Sequence, residues 1–410
     1  MRARAALAAG RVASRLSRAL GRGEGAVIGG KVALTLDPSV ADHLAAGRRI
    51  ALVTGTNGKT TTTALLAAAL RTDGPVASNT SGANLATGHV AALFGSPGVE
   101  TAALEVDEAV LPWAIAHLLP VVVVLLNLSR DQLDRLHEVR RTAALWRDAL
   151  AGAPGVHVVA NADDPVVVAA VPPSAGVTWV AAGQWWRLDA TSCPRCGSVI
   201  GFDAAGGKAW ACPGCDLKRP EPDVVWEDDQ GVCIDGGWHR LDLSLPGRFN
   251  RGNAAMAAVA AVAMGVPAAP AVAAETSVGS VADRYVVRPW GDGKEVRMLL
   301  AKNPAGWLEV LELLATSDAD SFVIALNARG EDGTDPSWIW DVPFERLRDR
   351  YVVCAGERAA DLAVRLTYAG VQYAYEPAPA AALDAAPGSS VDLAANYSAF
   401  QQFRRVLRHG

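Results

Sequence analysis

Eight residues, GTNGKTTT at 55–62, combine the side chains a phosphate-binding turn needs. Gly55 and Gly58 let backbone amides turn toward phosphate oxygens, Lys59 supplies a point charge for the outer phosphates, and the Thr60 hydroxyl can ligate magnesium. The general pattern GxxxxGK[ST] is incomplete, because Val53 stands where its first glycine would be. The flanks carry the reading instead. RRIALVT (48–54) is a short apolar strand and ALLAAAL (64–70) opens an apolar-faced helix, so the turn sits between strand and helix as a nucleotide site requires.

Two further groups have chemistry in their spacing. CPRCG (193–197) and CPGCD (212–216) place Cys193, Cys196, Cys212 and Cys215 as two C-x2-C knuckles, which together close a tetrahedron around zinc. Four thiolates leave no open coordination position, so the expected ion is structural. Only Arg195 and Lys208 are basic between the pairs, with Lys218 and Arg219 just beyond, so the expectation is a ribbon packed on its own domain or on a partner. Cys233 and Cys354 fall outside it, and Cys354 in YVVCAG reads as a small core residue. ETAALEVDE (100–108) reads as a buried strand ending in Glu105, Asp107 and Glu108, where parallel strands open toward a ligand and acids hold magnesium or orient water.

The elements that must position these groups fit an α/β protein. The 410 residues are 50% apolar and 20% charged, enough for two or three domains each with its own core. A net charge of −5 argues against a protein that coats nucleic acid, and six cysteines are too few for a disulfide scaffold, which points to a reducing, cytoplasmic compartment. Residues 109–126 are broken by Pro112, His117 and Pro120 into helix, turn and the strand VVVVLL, and 254–265 is an alanine-rich core helix ending at Gly265, so neither reads as a membrane span. No secretory signal is legible at the start. Instead Val12, Leu16 and Leu20 recur beside Arg11, Arg15, Arg18 and Arg22, a basic amphipathic helix that either docks on its own protein with a solvated arginine face or meets anionic lipid. From about residue 280, VRMLLA, SFVIALN, RYVVCAG and SVDLAANY are strands of a second α/β domain.

GTNGKTT resembles the phosphate loop of the Mur ligase superfamily, ATP-dependent amide-bond enzymes, and other segments follow in the matching order. In that superfamily a glutamate at the acidic strand end binds magnesium, which implies Glu105 or Glu108 here. NLSRDQLDRLHE (127–138) resembles Asn-x-x-x-Asp-His-Leu-Asp, with Gln132 in the histidine position and His137 nearby. NADDP (161–165) resembles the NxDDP turn. LPGRFNRGNAAMAAVAA (245–261) resembles LPGxHNxxNxxAA, with Phe249 in place of histidine, and implies that Asn250 and Asn253 approach the adenine side of ATP. AKNPAGWLEVLELL (301–314) matches an Asn-Pro helix start. The resemblance implies that Arg284, Lys302 and Asn303 contact ATP or the reacting carboxylate, alongside Gly55, Thr56, Asn57, Gly58, Lys59, Thr60 and Thr61 of the loop.

A phosphate loop beginning 54 residues into the chain leaves no room for a uridine-nucleotide domain, and the four-cysteine ribbon and LNARGEDGTDPSWIWD (326–341) are foreign to ordinary Mur ligases. With both, the chain resembles the MurT family, the synthetase subunits of lipid II isoglutaminyl synthase. The fold implied is a Mur ligase-like central P-loop ATPase domain with a mostly parallel sheet (41–275), preceded by the basic helix and lead-in (1–40) and carrying the zinc ribbon at about 190–220, then a C-terminal Rossmann-like α/β domain (276–410). The activity implied is ATP-dependent amidation of the α-carboxylate of D-glutamate in lipid II, through an acyl phosphate, with Lys59 and Glu108 at the chemistry and ATP, Mg2+ and structural Zn2+ as cofactors. No GxCxG elbow is present, so ammonia must come from a GatD-like class I glutamine amidotransferase. In the MurT family an aspartate of the synthetase completes the partner's Cys-His pair; the motif match falls on Asp335, with Asp341 second and Trp338 and Trp340 as apolar contacts beside it. Lipid II at the inner face of the membrane is the expected substrate partner and nucleic acid is not. Two other readings stay open, a Mur-like ligase that adds an amino acid and a zinc-ribbon ATPase that binds nucleic acid.

Overall fold

Short uninterrupted apolar runs, such as IALV within RIALVT and VVVL, are satisfied by strands covered on both faces. The computed structural model places them so. It describes residues 2–19, 26–79, 82–130, 139–203, 209–279, 285–291 and 293–408. Arg284, Gln132, His137 and Lys208 lie outside the described residues. The chain divides into two compact units, Met1–Leu128 with Val139–Ala282, and Ser129–Glu138 with Asp283–Gly410.

The first unit is built on a six-stranded parallel sheet of β1 (Arg49–Thr54), β2 (Val76–Ser78), β3 (Thr101–Glu105), β4 (Val122–Leu125), β5 (His157–Asn161) and β6 (Gly176–Val180), in the order β2-β3-β1-β4-β5-β6. Alternate residues feed opposite cores: Ala51, Val53, Val122 and Val124 face one, Ile50, Leu52, Val123 and Leu125 the other. Helices Lys59–Leu70, Arg248–Ala263 and Ala268–Glu275 pack together over the first core. The alanines of Arg248–Ala263 are buried from Ala254 to Ala261, and the chain turns away at Gly265, φ +91°. Since β1 lies between β3 and β4, its flanking connections diverge at its C-terminal end, the place where open α/β sheets bind ligands.

Three additions frame this sheet. The N-terminal segment forms two helices, Arg2–Ala19 and Ala26–Leu36, where the sequence indicated one helix and a lead-in. They cross at Gly10 and Gly29, so closely that a Cβ on Gly10 would lie 2.8 Å from the Gly29 carbonyl oxygen. The four-cysteine segment packs through Trp210, Ile200 and Leu217 onto Val168 and Ala169 of helix Pro165–Ala170. A three-stranded antiparallel sheet of Val225–Glu227, Gly231–Ile234 and Gly237–His239 follows, which the sequence did not announce.

The second unit is a six-stranded sheet in the spatial order Tyr285–Trp290, Lys294–Leu300, Ser390–Ala395, Ser321–Ala325, Tyr351–Ala355 and Gln372–Tyr375. Only the first pair is antiparallel. The Rossmann-like expectation holds, and Cys354 is fully buried in it. No helix among the described residues is long and apolar enough to cross a membrane.

Glu275, the last residue of helix Ala268–Glu275, is fully buried and neither carboxylate oxygen has a hydrogen-bond partner. Burial raises its pKa well above the ordinary carboxylate value, so the folded state holds a proton that the unfolded chain releases at neutral pH. Stability from this group is therefore fully present below the unfolded pKa and declines as pH rises above it. Glu275→Met should raise stability by about 1–3 kcal/mol at pH 8 and by much less near pH 4 in denaturant titrations; a gain independent of pH would contradict this account.

Candidate active site and metal centre

The loop after β1 turns on two left-handed glycines, Gly55 at φ +145° and Gly58 at φ +85°. Gly58 is the N-cap of helix Lys59–Leu70 and, with no side chain, makes no cap hydrogen bond of its own to the first turn. A Cβ on Gly55 would strike Leu126 and Asn127, so only glycine fits between β1 and the end of β4. Asn127 then closes the loop. Its carbonyl accepts from the Thr56 amide (2.9 Å), its Oδ1 from the Asn57 amide (2.9 Å), and its Nδ2 donates to the Asn57 carbonyl (3.0 Å). Lys59 is buried, and its Nζ donates to the Gly55 (2.5 Å) and Thr56 (3.2 Å) carbonyls and to Glu108 Oε2 (3.0 Å). Thr61 is half-buried in the first turn.

Asn253, on helix Arg248–Ala263, reaches the same loop. A Cβ on Gly58 would lie 2.6 Å from its Oδ1, and its Nδ2 donates to Asn250 Oδ1 (3.3 Å), whose own amide donates to the Pro246 carbonyl (2.6 Å). Gly252 lets the helix sit against the Ala182 carbonyl, 2.0 Å from where its Cβ would be. The sequence-predicted loop and asparagines are thus brought together.

The three acids at the end of β3 separate in role. Asp107 is a turn residue, accepting from the Ala109 amide (3.0 Å). Glu108 is paired with Lys59. Glu105 is 2% exposed, its Oε1 accepts from Asn84 Nδ2 (3.3 Å), and its Oε2 has no partner. Its backbone is clamped from both sides: Asn79 accepts from its amide and donates to its carbonyl, both at 2.8 Å. The Nε2–H of His89 also donates to that carbonyl at 2.8 Å. His89 is fully buried, and burial lowers its pKa, which keeps the ring neutral. The Thr60 hydroxyl is likewise buried without a partner. Those of Thr62 and Thr63 are too, but they lie further along the helix and away from the loop's end. An orphaned carboxylate oxygen and hydroxyl, both anionic or neutral oxygen donors, suit a hard divalent cation. Sequence reasoning missed Asn79, Asn84 and His89, and singled out Asn127 only as the start of the NLSRDQLDRLHE stretch; the polar run SNTSGAN directly after a short apolar strand was the available signal for Asn79 and Asn84.

The four cysteine sulfurs lie within 4.8 Å of one another, Cys193 and Cys215 at 3.7 Å and Cys196 and Cys212 at 3.4 Å. A tetrahedron with Zn–S of about 2.3 Å has edges of roughly 3.8 Å, so a cluster of this size is compatible with zinc. Each knuckle is a small hairpin, with Cys193 N donating to Ser198 O and Cys212 N to Leu217 O, both at 2.8 Å. The knuckles pack on their own unit, one of the two placements expected.

In the second unit, Asn303 caps helix Pro304–Ala315, its Oδ1 accepting from the Gly306 amide (2.9 Å). Lys302 is half-buried beside it. Asp335 is exposed and its Oδ1 accepts from the Ser337 amide (2.8 Å), at the start of the turn Ser337–Asp341. Asp341 pairs with Arg130, also of this unit, at 3.1 Å. One expectation is corrected: Trp338 is buried in the core with Phe344 and Leu362, so only Trp340, 50% exposed against the edge of Tyr368, offers an outward ring.

Comparison with known proteins bears on the whole chain. Residues 53–181 match the Mur ligase middle domain and residues 300–400 the MurT ligase C-terminal domain. The Streptococcus pneumoniae R6 MurT subunit of lipid II isoglutaminyl synthase (glutamine-hydrolyzing) is 31% identical over 377 residues, 85% of this chain and 83% of that one. The corresponding Staphylococcus aureus N315 subunit is 28% identical, covering 91% and 89%. Among solved structures, a pseudomurein peptide ligase type C from Methanothermus fervidus superposes with a TM-score of 0.69 at 19% identity, covering 88% of this chain and 79% of that one. The Mycobacterium tuberculosis folylpolyglutamate synthase complexed with ADP gives 0.63 at 15%, covering 90% and 92%. These two show the fold. With that fold, the loop geometry and a chain-long relative above 30% identity, the chain belongs to the MurT family of Mur ligase-like synthetase subunits.

Proposed function

We propose that this chain is the ATP-using subunit of a lipid II isoglutaminyl synthase and converts the stem-peptide D-glutamate α-carboxylate to an amide. The observation that carries the reading is the 31% identity spread over 85% of the chain, beside a Mur ligase middle-domain match at 53–181 that includes the loop holding Lys59. The carboxylate attacks the γ-phosphorus of ATP, ADP leaves, and ammonia then displaces phosphate from the acyl phosphate. In this reading Gly55, Thr56, Asn57, Gly58, Thr60 and Thr61 bind the phosphates, while Asn250 and Asn253 lie toward the base. Arg284 and Asn303 are further ATP contacts by family resemblance. Lys59 leaves the loop carbonyls for the phosphates, and its charge neutralises the transferring group. Glu108, its present partner, orients that ammonium. Thr60, Glu105 and Glu108 would hold magnesium, which would supply charge neutralisation of the phosphates. Cys193, Cys196, Cys212 and Cys215 hold a structural zinc.

Ammonia is assigned to a GatD-like class I glutamine amidotransferase. Neither cysteine outside the knuckles suits a nucleophile: burial pushes Cys354 up to about 12, and Cys233 sits in an antiparallel strand. Asp335 on its exposed turn, with Trp340 nearby in sequence, is the residue offered to the partner's Cys-His pair, with Asp341 second.

The substrate is lipid-anchored, and helix Arg2–Ala19 suits a site at the inner membrane face. It carries no acid, and on its outer side the exposed Arg4, Arg11 and Arg15 run beside Val12 and Leu16, which are 56% and 57% exposed.

Three outcomes test this. ADP release by wild type should require lipid II and ammonium, and Lys59→Ala should lower it by about 100-fold or more; release driven by a free amino acid instead would mean an amino-acid-adding ligase, and stimulation by nucleic acid a different ATPase. Asp335→Asn should retain ammonium-driven amidation while glutamine hydrolysis by the complex is lost, and equal loss of both would remove the interfacial role. Reversing Arg4 and Arg15 to glutamate should weaken flotation with anionic vesicles at least about tenfold; binding that is indifferent to lipid charge would sink the membrane assignment.

A further inference from the structure

The four-cysteine ribbon and the phosphate loop are joined by an unbroken set of contacts within the first unit. From the second knuckle, Arg219 Nε donates to Asp163 Oδ1 at 2.7 Å, with both side chains largely buried, and Trp210 Nε1 donates to the Ala162 carbonyl at 3.2 Å. Ala162 and Asp163 belong to the NADDP turn. The next residue, Asp164, is fully buried and uses every lone-pair direction available to it: Oδ1 caps helix Pro165–Ala170 through the Val166 and Val167 amides, and Oδ2 accepts from Gln184 and from the Leu128 amide, both at 2.9 Å. Leu128 directly follows Asn127, the residue that closes the phosphate loop through Thr56 and Asn57.

A second branch leaves the same turn. Asp163 Oδ2 accepts from the Gly183 amide at 2.7 Å and Asn161 Nδ2 donates to the Gly183 carbonyl at 3.0 Å. Gly183, at φ +91° with the Trp185 ring folded over it, follows Ala182, whose carbonyl abuts Gly252 beside Asn253 and hence Gly58. Both branches end on the loop, one at Thr56 and Asn57 and the other at Gly58.

We infer that Arg219 is a positioning residue for the nucleotide, and that the ribbon, through Arg219, Trp210 and the Asp163–Asp164 pair, couples metal occupancy of the four cysteines to the geometry of the phosphate loop. The inference rests on the reading of that loop as an ATP site. Without the ion the two knuckles have no common anchor, the Arg219 and Trp210 contacts loosen, and Asn127 is held less firmly. By linkage the effect runs both ways: nucleotide binding tightens zinc by the same factor that zinc tightens nucleotide.

The test uses the full chain. Mg-ADP binding is measured by calorimetry for wild type, Arg219→Gln and Arg219→Lys, together with zinc content and the rate of zinc loss to a chelator with and without Mg-ADP. Arg219→Gln should keep its zinc yet bind Mg-ADP about tenfold more weakly, within the range typical of coupling between sites, and Arg219→Lys should recover most of that loss. Mg-ADP should slow zinc loss from wild type and do so far less in Arg219→Gln. Unchanged Mg-ADP affinity in Arg219→Gln, or zinc loss indifferent to Mg-ADP in wild type, would overturn the coupling. Should Arg219→Gln not fold, Trp210→Phe, which deletes the indole N–H to Ala162, carries the same comparison. Absence of Mg-ADP binding by wild type would instead overturn the ATP reading, and this inference with it.

Discussion

The reciprocal hydrogen bonds between Asn57 and Asn127 are the contact on which the phosphate site depends. They exist because β1 and β4 are parallel neighbours in a register that sets Thr54 opposite Leu125, so both chains leave the sheet at the same level. Only a residue without a Cβ fits at Gly55 in the gap so formed. A glycine turn free of this brace would sample many backbone states, and its amides would not converge. The all-parallel, doubly covered sheet is thus a precondition for the site, and the apolar runs of β1 and β4 are its cause.

Charge is arranged around that brace with few spare groups. Lys59 is nearly buried, which would be costly for an unpaired ammonium, and two loop carbonyls and Glu108 satisfy it. Glu105 is nearly buried as well, but there the fold spends its polar contacts on the backbone, through Asn79 and His89, and leaves one carboxylate oxygen unmatched. An unmatched buried oxygen costs stability unless it is protonated, as at Glu275, or bound; Glu105 lies opposite Val53 at the strand end that leads into the glycine turn, which favours the second account there.

Much of this was legible beforehand. Strand, glycine turn and helix announced the loop, and two C-x2-C pairs announced the knuckles, because both depend on contacts between residues close in sequence. The paired roles of Glu105 and Glu108 were not legible, since three residues of one turn can be told apart only by what faces them. Asn79 and His89 come from a different strand connection, 26 and 16 residues from Glu105. Trp338 and Trp340 read alike in WIWD, yet a single turn of backbone sends one into the core and the other outward. The antiparallel sheet at 225–239 was missed because its strands are only three or four residues long, too short to display an alternating pattern.

By itself the sequence determined the local devices and their order: a phosphate turn, an acidic strand end, a four-thiolate cluster and an Asn-Pro helix start, with the family resemblance resting on that order. These are short-range patterns, whose backbone geometry follows from glycine, proline and side-chain capping within a few residues. Which acid stays unmatched, which asparagine closes the loop, and how Arg219 reaches Asp163 and thence Leu128 were decided by the tertiary structure alone. Those contacts span tens of residues, and their partners are selected by parallel strand register and by close packing at Gly55, Gly58 and Gly252, neither of which leaves a periodic mark in the chain.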